Sequence, residues 1–84
     1  MLTHYNADEK TLTLCVNEEI AEQRGEADQL AALDVWGLEF AAKKIGYTVA
    51  ESGNFRDWNG GKFWRGDDAL PAELEALLRE FNAY

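Results

Sequence analysis

Apolar and polar positions alternate from Leu2 to Tyr5, lose the pattern over Asn6-Ala7-Asp8-Glu9-Lys10, and resume it from Thr11, with Leu12, Leu14 and Val16 on one face. A period of two on either side of a polar run predicts a β-hairpin that turns at residues 6–10. Asn17 follows, with Glu18 and Glu19 directly behind it. An amide that can accept from a free helical N–H, and two carboxylates where the helix dipole favours negative charge, predict a helix start. Gly25 is expected to end or bend that helix, and Asp28 can cap a new one.

From Gln29 to Ile45 the period becomes helical. Leu30, Leu33, Trp36, Gly37, Leu38, Phe40, Ala41 and Ile45 fall on one broad side at about 100° per residue, which predicts the main helix. Lys43 and Lys44 in the last turn, with Gly46 behind them, suit its C-terminus. Tyr47 to Glu51 then predicts a strand, Ser52-Gly53-Asn54 a turn, and Phe55 to Trp58 another strand. Asn59-Gly60 favours a two-residue hairpin, from which Gly61 to Arg65 returns antiparallel. Gly66-Asp67-Asp68 breaks the sheet. Pro71 stands at the first position of a closing helix in which Leu74, Leu77, Leu78 and Phe81 make one apolar stripe, with Glu73, Glu75 and Glu80 facing outward. This order is that of an α+β fold: an antiparallel sheet of hairpins with two or three helices packed on it.

At 84 residues the chain is expected to be a single small domain, 1–84, because it lies well below the size at which one core divides. Its hydrophobic content of 46% is too high for a disordered acidic tail. Residues 1–20 carry Asp8, Glu9 and Lys10 where a signal peptide needs an unbroken apolar stretch, and no run reaches the roughly 20 apolar residues of a membrane span. A lone cysteine, Cys15, forbids an internal disulfide, so the expected compartment is the cytoplasm.

Charge changes the picture most. Sixteen acidic residues stand against eight basic ones, a formal net charge of −8. That excess opposes direct binding to nucleic acid and favours a basic protein partner. On a helix starting at Glu18, the residues Glu18, Glu22 and Glu26 advance about 40° per four-residue step, with Glu19 within about 100°, so four carboxylates share one side. Such a row resembles the charge spacing of a phosphate backbone; it also serves as a solvated face that keeps a small protein soluble. Asp57, Asp67 and Asp68, joined by Glu51, form a second acidic group, among which Arg56, Lys62 and Arg65 are interleaved. Asp68 has a structural alternative, capping the turn before Pro71.

Among the aromatics, Trp58 and Trp64, with Arg65 nearby, are candidate anchors of an interface, and a core role is the alternative. Asp34 falls inside the apolar side of the main helix, where a carboxylate needs a partner. His4 and Cys15 lie on the two arms of the hairpin, but together they supply only two of four zinc ligands and no orienting third group for a thiol nucleophile. Asp57-Trp58-Asn59-Gly60 fails as a calcium loop, because Phe55 and Gly66 fall where oxygen ligands are required. With no phosphate loop, serine elbow or metal cluster, the chain is expected to be non-catalytic and to use neither metal nor cofactor.

In size and charge over its whole length the chain resembles the small phage-encoded anti-defence proteins, including anti-CRISPR proteins and other DNA mimics. No motif is shared, so the resemblance transfers no residue roles. It implies an inhibitor that competes with DNA or RNA for the basic surface of a nucleic-acid-handling protein, such as a CRISPR effector subunit or another defence nuclease. The partner-binding candidates are Glu18, Glu19, Glu22, Glu26, Asp57, Trp58, Trp64, Asp67 and Asp68. Two other classes remain open: a cellular interaction module such as an antitoxin, immunity protein or enzyme accessory subunit, and a small enzyme built on Asp34 or Asp57.

Overall fold

The predicted hairpin is present. Strand β1 (Thr3–Asn6) pairs antiparallel with β2 (Thr11–Cys15), placing Tyr5 opposite Leu12 and His4 opposite Thr13. Its turn is held by Asn6 Oδ1, which accepts from the Glu9 amide at 3.1 Å. The computed structural model describes residues 3–58 and 68–83.

The third strand, β3 (Thr48–Ser52), falls where the alternation placed it, but it pairs parallel to β2, so the sheet is mixed with the order β1-β2-β3. An antiparallel meander was expected. The reason for the difference lies in the connection: helices α1 (Glu18–Gln23), α2 (Ala27–Ala32) and α3 (Val35–Lys44) separate the two strands and return the chain to the start of β2. Parallel neighbours require a crossover of this kind. The chain is an α+β fold with a central strand buried on both faces.

One face of the sheet presents Tyr5, Leu12, Leu14 and Val49 to α3 and to α5 (Ala72–Glu80), which contribute Leu38, Ala42, Leu74 and Leu78. Leu12, Leu14, Leu38, Leu74 and Leu78 are fully buried, and each such side chain stabilises the fold by about 2 kcal/mol. The opposite face is covered by Trp58, which packs with Cys15 and Ile20 and stacks on His4 at 5.0 Å between ring centroids. Trp58 belongs to α4 (Phe55–Trp58), a single helical turn where a strand was predicted. Four residues are too few for either period to declare itself, and the turn folds the indole back over the sheet.

The main helix predicted over 29–45 is two helices. Leu33 is extended and Asp34 caps α3, its Oδ1 accepting from the Gly37 amide at 3.0 Å. Aspartate competes for backbone amides and so favours helix starts over helix interiors. Asp34 is therefore a cap and not a buried acid. The restart also resets the phase of the helix: Leu38 and Ala42 face the core, while Trp36 and Phe40, predicted on the apolar side, are 85% and 64% exposed.

Helices α1, α3 and α5 end alike, with a positive φ at Gly25 (72°), Gly46 (91°) and Asn82 (59°). In each case the next amide reaches back to close the helix: Glu26 to Ala21 O at 2.7 Å, Tyr47 to Ala42 O at 2.9 Å, Ala83 to Leu78 O at 2.8 Å. Among the described residues no helix is long and apolar enough to cross a membrane.

Candidate functional site: an acidic groove

Asn17 does two things at the start of α1. Its Oδ1 accepts from the Ile20 amide at 3.1 Å, capping the helix, and its Nδ2 donates to Gly53 O at 3.0 Å. The second bond ties the first turn of α1 to the exit of β3, and the Val16 amide adds a 3.0 Å bond to Ser52 O. At the other end of α1, the left-handed conformation of Gly25 reverses the chain so that α2 packs beside α1.

These constraints gather four carboxylates from three elements. Glu18 and Glu22 on α1, Asp28 on α2 and Glu51 on β3 line one groove of about 610 Å³. Val16, Ala27, Leu30, Ala31 and Val35 complete the lining, and no lysine or arginine is among the described residues that form it. Two unit charges 4 Å apart interact with about 1 kcal/mol in bulk water and more beside an apolar surface. A cation entering the groove is attracted by several carboxylates together, over a range of about 8 Å at physiological salt.

The residues expected to form the partner surface therefore separate. Glu18 and Glu22 share the groove. Glu19 is exposed on α1 outside its lining, and Glu26, carried past Gly25, takes the N-cap position of α2. Trp58 is 6% exposed, and its Nε1 donates to Ser52 O at 3.0 Å, so it is a ring of the core and not a surface anchor. Asp68 braces the hairpin: its Oδ2 accepts from the Ala7 amide at 2.9 Å, and its own amide donates to Tyr5 O at 3.0 Å. The Asp57 side chain, Trp64, Asp67 and the hairpin expected at Asn59-Gly60 with its return over Gly61 to Arg65 lie outside the described residues.

Two groove residues were not grouped this way in the sequence. Asp28 read only as a cap, and Glu51 was assigned to the later acidic group. Its position follows from the parallel register, which sets Glu51 beside Leu14, two residues before Gly53, whose carbonyl accepts from Asn17. The second aromatic feature, Trp36 with Phe40 on the outer face of α3, was legible only by reading Asp34 as a helix start. Cys15 is buried, His4 faces Thr13 and Trp58, and among the described residues no group of three or more His, Cys, Asp or Glu is placed to hold a metal ion. No family model matches the chain, and no curated protein or solved structure matches it.

Proposed function

We propose that the chain is a non-catalytic acidic inhibitor that seats a lysine- or arginine-rich surface of a nucleic-acid-handling protein in the groove between α1, α2 and β3, and so competes there with DNA or RNA. The observation that carries this reading is the convergence of Glu18, Glu22, Asp28 and Glu51 on one groove with no basic residue among its described lining. Lysine and arginine lay their methylene stems along apolar surface while their charged heads reach outward, so an apolar floor rimmed by carboxylates suits them in both parts. The net charge of −8 adds long-range attraction that raises the association rate. A CRISPR effector subunit is one partner whose DNA-binding surface has this chemistry.

Capture of partners on the immobilised chain, followed by a DNA-binding assay of each captured protein, tests the proposal. The bound chain is expected to abolish DNA or RNA binding by the captured protein, and excess duplex DNA to displace the chain. A captured protein that holds DNA and this chain together contradicts competition and favours the interaction-module reading, in which an antitoxin, immunity protein or accessory subunit uses the same groove.

A further inference from the structure

The outer face of α3 (Val35–Lys44) is independent of the acidic groove. Trp36 and Phe40, one turn apart, are 85% and 64% exposed, and with Asp34, Gly37, Glu39 and Lys43 they line a second groove of about 660 Å³. Lys44 Nζ lies 4.6 Å from the centroid of the Phe40 ring. An exposed pair of large aromatics on a small domain marks an interaction surface. What distinguishes this one is its charge. In a chain with twice as many acidic as basic residues, this helix is locally balanced and polarised: Asp34 and Glu39 belong to its first half, Lys43 and Lys44 to its last turn.

We propose that this face pairs with a second copy of the chain, α3 against α3 about a two-fold axis beside Phe40. Antiparallel pairing sets the acidic first half of each helix against the basic last turn of the other and opposes the two helix dipoles. Trp36 of each copy then meets the aliphatic stems and ammonium groups of the partner's Lys43 and Lys44, a cation–π arrangement that Lys44 and Phe40 already display within one chain. Two chains of charge −8 repel elsewhere on their surfaces, so a locally neutral, self-complementary helix is where they can approach. Aromatic side chains bury roughly 150–250 Å² each, so two Trp36 and two Phe40 rings with the lysine stems cover on the order of 1,000 Å², the range of a weak, reversible dimer.

Sedimentation velocity over a concentration series, reaching about 1 mM, tests this. The parent chain is expected to shift from monomer to dimer, and Trp36→Ser to remain monomeric with an unchanged far-ultraviolet spectrum. A charge exchange identifies the orientation. Glu39→Lys and the double variant Lys43→Glu/Lys44→Glu are each expected to be monomeric alone, and an equimolar mixture to form a heterodimer. The proposal is overturned by a parent chain that stays monomeric at every concentration, including one whose Trp36 face binds only a different protein. A dimer that survives Trp36→Ser overturns it too, as does a charge-exchanged mixture that fails to associate.

Discussion

The Tyr47 hydroxyl donates a 2.6 Å hydrogen bond to Glu73 Oε1, tying the residue that enters β3 to the first turn of α5. The bond favours a neutral phenol and an ionised carboxylate together. It is the main cause that pushes Tyr47 up to about 12, with burial and the Glu73 charge adding, and it is the main cause that holds Glu73 below its ordinary value of 4.5. Tyr5 is also raised, first by burial and then by the charges of Asp68 and Glu73.

Stability should therefore depend on pH at both ends of the range. A phenol with a raised pKa in the fold contributes stability that is whole below its unfolded value of about 10 and is lost as pH rises toward about 12. A carboxylate with a lowered pKa contributes above its unfolded value of 4.5, and the contribution is lost as pH falls through the lower folded value. Tyr47→Phe is expected to be less stable than the parent at neutral pH, with the difference closing in strong acid and in strong alkali. Urea midpoints across pH check this, and a difference constant with pH would show that the bond is not responsible.

Asp34 and Gly37 are coupled. A Cβ at Gly37 would collide with the Asp34 carboxylate and stand 3.0 Å from the Phe81 ring. Asp34→Ala is expected to cost about 1 kcal/mol, the loss of a helix cap. Gly37→Ala gains about 1 kcal/mol of helix propensity but displaces the cap. Made in the Asp34→Ala background, it is expected to be about 1 kcal/mol more favourable than in the parent; additive costs in chemical denaturation would refute the coupling.

The tryptophans should separate by role. Trp58→Ala removes a buried ring and is expected to cost about 3–5 kcal/mol, and Trp58→Phe about 1 kcal/mol through the lost bond to Ser52 O. Trp36→Ala, on the exposed face of α3, is expected to leave the monomer within about 0.5 kcal/mol of the parent. Thermal melts of the three variants at low protein concentration measure these differences, and equal losses at both positions would remove the distinction between core and surface.

Much of the fold was legible because its signals are local. The alternation from Tyr5 to Leu14, the cap at Asn17, the left-handed ends at Gly25 and Gly46 and the apolar stripe of α5 each depend on a few consecutive residues. The parallel pairing of β2 with β3 was not legible, since a period of two fixes which face a residue occupies and not the direction of the neighbouring strand. For Trp36 and Phe40, a periodic reading carried through Asp34 kept the phase of a helix that in fact restarts there. The groove was half legible: Glu18 and Glu22 follow from one helix, whereas Asp28 and Glu51 join them through contacts distant in sequence, such as Asn17 with Gly53.

Association kinetics of two variants with equal charge separate the groove from the overall acidity of the chain. Glu18→Gln/Glu22→Gln/Asp28→Asn/Glu51→Gln neutralises the groove, while Asp8→Asn/Glu9→Gln/Glu19→Gln/Glu80→Gln neutralises four carboxylates outside it; each changes the net charge from −8 to −4. With a captured basic partner, the groove variant is expected to associate at least about tenfold more slowly at low salt and to lose most of its salt dependence, while the matched variant stays close to the parent. Equal slowing by the two variants would contradict recognition by the groove.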